Sequence, residues 1–163
     1  MKVVYIAGKY RGKTPWEVEQ NIRAAEDVGA KVIAAGHMPL IPHANTRHME
    51  GLADDAFFLA GTMELLRRCD AVVLVPGWST SVGAKAEVVE AQRLDLPVFG
   101  IGTDTVVAIE RLCAWASGTL SQYDKRKCNL HDDCDEADRK AKDSGRRIPH
   151  HCRSDDCEDC FGK

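Results

Sequence analysis

The residues best suited to chemistry are Ser81-Val82-Gly83-Ala84-Lys85-Ala86-Glu87. They follow a short apolar run, Ala71 to Val75, and a turn, Pro76-Gly77-Trp78-Ser79. The apolar run reads as a buried strand and the segment after it as a helix start. At a helix start the first backbone N–H groups lack intrahelical acceptors and attract an anion, so Ser81 and Gly83 stand where a phosphate would be held. Glu87 follows one turn later, a carboxylate beside the anion site. A phosphate cradle with an adjacent carboxylate fits chemistry on a small phosphorylated molecule. Taken alone, Glu87 also reads as a solvated charge paired with Lys85 or Arg93 on an amphipathic helix.

Such a site needs a scaffold, and the first 117 residues supply alternating strand and helix signals. Lys2 to Ala7 is an apolar run closed by Gly8, as expected of a buried parallel strand. Thr14 then caps a helix that has Pro15 at its first position, Glu17 in its first turn and Gly36 just past its end. Met38 to Ile41 reads as a second strand, with a loop beginning at Pro42-His43-Ala44-Asn45. Asp54 or Asp55 caps a helix ending near Arg68, and Asp70 leads the third strand. A helix from Gly83 to Leu94, a strand from Pro97 to Ile101 and a helix from Thr103 to Ala116 complete the pattern. Four β-α units with short links predict an α/β fold, an open, doubly wound parallel sheet with helices on both faces. In such sheets ligands bind beyond the carboxyl ends of the strands. Those ends are Gly8-Lys9-Tyr10-Arg11-Gly12, Pro42-His43-Ala44-Asn45 and Gly77 to Gly83, three loops far apart in sequence.

The remainder, 118–163, differs in kind. It holds ten Lys and Arg and eleven Asp and Glu in 46 residues, with few large apolar side chains. That composition buries too little apolar surface to offset the entropy of ordering. Five of the seven cysteines fall here, in Cys128-x-x-His131-x-x-Cys134 and His150-His151-Cys152-x-x-x-x-Cys157-x-x-Cys160. Short Cys/His pairs around a spacer are how a small segment encloses tetrahedral zinc, whose binding supplies folding energy that a core would otherwise provide. The preferred ligands are Cys134, Cys152, Cys157 and Cys160, with Cys128, His131 and His150 or His151 as substitutes or a second site. Disulfides and free thiols on a disordered tail are the alternatives. Cys69 and Cys113 lie at helix ends and read as ordinary buried residues.

A net charge of -3 without a basic stripe argues against a nucleic-acid partner. The apolar run at the start is too short for a signal peptide or membrane span, and the chain reads as soluble and cytoplasmic.

From its start to about Gly118 the chain resembles the nucleoside 2-deoxyribosyltransferase superfamily. The resemblance rests on Tyr5-Ile6-Ala7-Gly8, on Arg67-Arg68-Cys69-Asp70-Ala71-Val72-Val73, and above all on Ser81-x-Gly83-x-x-x-Glu87. Within it the chain looks like a phage-type branch of unknown function, which would place it in a host cytoplasm, and is similar to the hydrolases of deoxynucleoside monophosphates. The resemblance implies a flavodoxin-like or Rossmann-like fold and a small-molecule nucleotide as partner. It implies that Glu87 attacks the anomeric carbon and expels the base, with no cofactor for catalysis and a covalent glycosyl-enzyme between two displacements. Ser81 and Gly83 would hold the 5′-phosphate. Gly8, Lys9, Tyr10 and Arg11 would line the pocket, with His43 and Asn45 at its edge and Asp70 as the motif aspartate. A homo-oligomer is also implied. Relatives often carry an aspartate eight residues before the position of Asp70, where this chain has Thr62. That departure keeps a second reading open, a nucleotide-binding module without catalysis, its cysteine-rich tail serving as an interaction element.

Overall fold

The computed structural model describes residues 1–49 and 51–119. Strand β1 (Val3–Ala7) leads to helix α1 (Pro15–Ala34), then β2 (Met38–Leu40) and a single helical turn, α2 (Pro42–Asn45). Helix α3 (Asp55–Leu66) precedes β3 (Ala71–Leu74). A short 3-10 turn at Trp78–Thr80 enters α4 (Val82–Arg93), and β4 (Val98–Phe99) and α5 (Thr105–Ala116) follow. The four strands form one parallel sheet in the order β2-β1-β3-β4.

Side chains of successive strand residues point to opposite faces, and both faces are covered. Val4, Ile6, Ala71, Val73 and Phe99 pack with Ala25, Val28 and Val32 of α1 and Ala108 and Leu112 of α5. Tyr5, Ala7, Val72, Leu74 and Val98 pack on the other side with Leu66 at the end of α3 and Val88 and Ala91 of α4. This two-sided burial explains why β1 and β3 are continuous apolar runs without polar alternation.

The helix starts follow their capping residues. Thr14 Oγ1 accepts from the Glu17 N–H at 3.2 Å, Asp54 from Phe57 at 2.8 Å, Ser81 from Ala84 at 3.3 Å and Asp104 from Val107 at 2.9 Å. Two expectations shift. Pro42-His43-Ala44-Asn45 is a helical turn, because Pro42 is pre-set for a first helical position and the Ala44 and Asn45 N–H groups both reach the Ile41 carbonyl. The last helix starts after Asp104, the residue with a side-chain acceptor for its first turn.

Order β2-β1-β3-β4 makes β1 and β3 neighbours from which the chain winds outward in opposite directions. Their carboxyl ends are pinned close. The Val75 N–H donates to Ala7 O at 2.8 Å, and a Cβ on Gly8 would lie 2.8 Å from both Cβ and Cγ2 of Val75. Gly8 is therefore required by the approach of the two strand ends. Gly8→Ala is expected to cost about 1–3 kcal/mol, the scale of an overpacked core. Urea unfolding of the two proteins measures it; unchanged stability would show that the strand ends part freely.

Candidate functional site

Glu87 lies on α4 and Tyr5 in the middle of β1, 82 positions apart in sequence. The phenol donates to Glu87 Oε1 at 2.6 Å. Tyr5 has no exposed surface and Glu87 is half-buried. Desolvation pushes the Glu87 carboxyl from its usual 4.5 up to about 7, while the bond from Tyr5 works against that rise. Burial and the adjacent carboxylate drive the Tyr5 phenol far above its usual value, so it stays protonated and remains a donor. The Thr62 hydroxyl, from α3, lies within hydrogen-bonding reach of the same phenol and donates to the Leu59 carbonyl at 3.1 Å. The carboxylate thus sits against the sheet between α3 and α4, held by one strand residue.

One turn earlier, Ser81 caps α4 through its side chain, leaving the N–H groups of the helix's opening residues for another acceptor. Gly83 is not needed for packing. A Cβ there would meet nothing nearer than Ser81 Oγ at 3.8 Å and Leu59 Cδ2 at 4.0 Å. A glycine in a helix that its surroundings do not require costs roughly 0.5–1 kcal/mol against alanine, and what it preserves here is open space over the start of α4.

The β1–α1 loop borders this region and is itself tethered. Asn21 Nδ2 donates to the Tyr10 and Arg11 carbonyls at 3.0 and 3.1 Å, and the Lys13 N–H donates to Glu17 Oε2 at 2.6 Å. Arg11 forms an exposed ion pair with Asp55 at the start of α3, a link from loop to helix. Lys9 is exposed and Gly8 buried. The Tyr10 ring meets His43 edge-on, with centroids 5.8 Å apart. His43 is 6% exposed, near the Gly8 and Lys9 backbone, and neither ring nitrogen makes a hydrogen bond of good geometry. Burial pushes the imidazole below its usual range, towards the neutral form. Asn45 is exposed on the same helical turn.

Asp70, expected in the site, is not there. It lies at the amino end of β3, where Oδ2 accepts from the Val3 N–H at 2.7 Å and Oδ1 pairs with Lys2 Nζ at 3.3 Å. Those bonds hold its carboxyl below the usual range. The residue clips the entry of β1 to that of β3, at the opposite edge of the sheet from Ser81. Three titratable groups that could stand in for an acid at position 62 are engaged elsewhere. Asp55 pairs with Arg11, Glu64 with Arg67 and Arg68 on the exposed side of α3, and His43 packs on Tyr10. Trp78 is partly buried against the core on the α3–α4 side. Cys69 is buried, and its thiol, pushed up to about 11 by burial, donates to the Leu65 carbonyl at 3.3 Å. Cys113 is only partly buried.

The family described as a domain of unknown function (DUF4406) matches residues 2–100, from the start of β1 to just past β4. The chain belongs to that family. Every residue of the Tyr5–Thr62–Glu87 cluster falls within the DUF4406 match, and α5 and the cysteine-rich segment fall outside it. Solved structures similar to the chain include two 2-deoxyribosyltransferases. A 2-deoxyribosyltransferase from the psychrotolerant bacterium Bacillus psychrosaccharolyticus is 18% identical with a TM-score of 0.45, over 59% of this chain and 69% of that one. A 2-deoxyribosyltransferase from Leishmania mexicana is 21% identical with a TM-score of 0.43, over 61% of this chain and 63% of that one. No curated protein matches the chain.

The candidate zinc ligands Cys128, His131, Cys134, His150, Cys152, Cys157 and Cys160 lie outside the described residues. Among the described residues no group of three or more His, Cys, Asp or Glu is arranged to hold a metal ion. Nor is any described helix long and apolar enough to cross a membrane.

Tyr5 is the site residue that sequence reasoning missed. The available signal was a tyrosine in an otherwise aliphatic buried strand, because a buried phenol needs a hydrogen-bond partner. The partner's identity is a tertiary fact. The raised pKa of Glu87 has a consequence for stability. A carboxyl whose value is higher folded than unfolded contributes stability that is complete below about pH 4.5 and is lost as pH rises through about 7. Glu87→Gln removes that loss and can still accept from Tyr5. The variant is expected to exceed the parent by about 1–3 kcal/mol above pH 7 and to match it near pH 4.5, as read from urea unfolding at both values. A pH-independent difference would show that Glu87 is not desolvated in solution.

Proposed function

We propose that the chain cleaves or transfers the N-glycosidic bond of a nucleoside 5′-monophosphate, with Glu87 as nucleophile. The observation that carries the reading is the half-buried Glu87 carboxyl, aimed by the Tyr5 phenol and one turn into a helix whose start is left open at Gly83. In the first displacement the unprotonated Glu87 oxygen bonds to the anomeric carbon. The bond from that carbon to the base nitrogen breaks, its electron pair leaves with the base, and solvent supplies the base's proton. In the second, water or another base attacks the same carbon and releases Glu87. Tyr5 orients the carboxylate and keeps part of it ionised against the cost of burial. Ser81, Gly83 and the Lys9–Arg11 loop hold the phosphate, and Tyr10, His43 and Asn45 border the sugar or base. The motif spacing and the 2-deoxyribosyltransferase resemblance support the same reaction class.

Thr62 favours a second reading. A threonine cannot donate or take a proton near neutral pH, so a site lacking an acid at this position also suits a module that binds a nucleotide without cleaving it. Release of free base from a panel of nucleoside monophosphates, followed by chromatography, separates the two. For the enzyme, Glu87→Gln should lose at least about a hundredfold in turnover, the scale of a lost principal catalytic group, while nucleotide binding persists. Turnover of the parent should rise with pH through about 7 as Glu87 ionises. An active Gln variant sinks the nucleophile.

Ser81→Ala separately tests the phosphate cradle. Binding of a monophosphate should weaken while binding of the matching nucleoside is nearly unchanged. Equal affinity of the parent for both ligands would mean that no phosphate is read. The proposal for the tail is a structural zinc on cysteine ligands, remote from the chemistry. Elemental analysis of protein purified under reducing conditions should give metal in stoichiometric amount, and its absence ends that assignment.

A further inference from the structure

Helix α1 holds two of the segments that border the site. Asn21 ties down the β1–α1 loop through the Tyr10 and Arg11 carbonyls. Glu19 and Glu26, two turns apart and so on one face of α1, both accept from Arg47, which follows α2. Arg47 Nη2 lies 2.6 Å from each oxygen of Glu19, and Nη1 lies 3.3 Å from Glu26 Oε1. The Arg47 side chain is 31% exposed and that of Glu19 23%, so water screens this contact less than the fully exposed pairs. The approach is close here as well, since a Cβ on Gly29 of α1 would lie 2.5 Å from Ile41 Cδ1, just before α2.

The chain needs an anchor at this point. Helix α2 is a single turn, and its hydrogen bonds stay inside it. The Ala44 and Asn45 N–H groups reach the Ile41 carbonyl, and the Thr46 N–H and hydroxyl reach that of Pro42. Between Arg47 and α3 the described residues form no helix or strand, and His48 turns back through a φ of 61°. His43, buried on Tyr10 with its ring nitrogens unanswered, thus stands on a short element with little regular structure to brace it.

We propose that Arg47 is a positioning residue, clamped by Glu19 and Glu26, that sets where His43 and Asn45 stand at the edge of the site. Tyr10 and His43 meet because both are tied to α1, Tyr10 through Asn21 and His43 through Arg47. A guanidinium suits the task, because its fork of donors holds two carboxylates at once where an ammonium offers a single point of charge. The clamp lies with α1, on the face of the sheet opposite the α3–α4 side that carries Glu87. Loosening it therefore leaves the Tyr5–Glu87 bond in place and changes the fit of the ligand. The inference rests on the reading of His43 and Asn45 as neighbours of the sugar or base. Arg47 then governs affinity for the nucleotide rather than the chemical step.

Two measurements on the full chain test this, one of them free of activity. In the NMR spectrum of the parent the His43 ring protons, assigned by their loss in His43→Gln, should be displaced from free-imidazole values by the Tyr10 ring. In Arg47→Met they should return towards those values with circular dichroism unchanged. With the nucleoside monophosphate that the parent cleaves fastest, Arg47→Met should raise KM at least about tenfold and hold kcat within about twofold. Arg47→Lys keeps the charge but not the double grip and should fall between the two. Glu19→Gln leaves Arg47 in place and should move both readouts in the same direction. Arg23→Met is the control. Arg23 pairs with Glu19 at 2.9 Å from within α1, so its loss should change neither readout. An unmoved His43 signal in folded Arg47→Met or Glu19→Gln overturns the proposal, as does a loss in kcat with KM unchanged. So does an Arg23→Met variant as impaired as Arg47→Met. If no monophosphate is cleaved, the nucleotide reading fails by itself and the His43 signal still decides the clamp.

Discussion

A carboxyl group held out of water by the packing around α4 and answered by a single phenol is the constraint around which the rest is arranged. Desolvating an ionised carboxylate is costly unless it is hydrogen-bonded, and a charge-assisted bond from a buried hydroxyl recovers part of that cost. Tyr5 can supply it because β1 is an interior strand, flanked by β2 and β3 and covered on both faces. A phenol on such a strand cannot wander, and its oxygen sits where the backbone of β1 puts it. The balance leaves Glu87 near the midpoint of its titration at neutral pH. A group in that condition is useful when it must be ionised to attack and be displaced again afterwards.

The surrounding topology follows from placing those two residues together. The order β2-β1-β3-β4 sets the ends of β1 and β3 side by side, and both loops leaving them open at the same edge. Gly8 permits the close approach of those ends, and Asp70 fastens the same two strands at the far edge through the Val3 N–H. The aspartate is thus a structural clip whose effect on the site passes through the sheet. Helix α4 leaves the β3 end with its N-terminus over that edge and its second turn against Tyr5. One helix therefore presents both the open first turn and the carboxylate, and their relative position is fixed by helical geometry alone.

Much of this was legible in the sequence because local rules governed it. The capping residue Thr14, the Asp54-Asp55 pair, the proline at 15 and the glycine at 36 mark helix limits through bonds made within a few residues. Continuous apolar runs announced a sheet buried on both faces. Ser81, Gly83 and Glu87 could be placed on one helix because their spacing is a helical quantity. What sequence could not supply were pairings across distance. Tyr5 looked like core until Glu87 was found at its hydroxyl, and Asp70 looked catalytic until its partner proved to be the backbone of Val3. His43 stood in a stretch that read as a loop, and only the fold shows it buried against Tyr10 with its ring nitrogens unanswered.

Thr62 bears on the protonation of Glu87. An ionised residue at 62 would place a second charge beside the Tyr5–Glu87 pair, in surroundings already desolvated enough to raise a carboxyl to about 7. Two carboxyls at such range cannot both ionise freely, and one of them would be held protonated. A threonine removes that competition and leaves Glu87 as the group whose titration governs the site. It also leaves the middle of α3 uncharged from Ala56 to Met63, on the helix that faces the carboxylate from the other side.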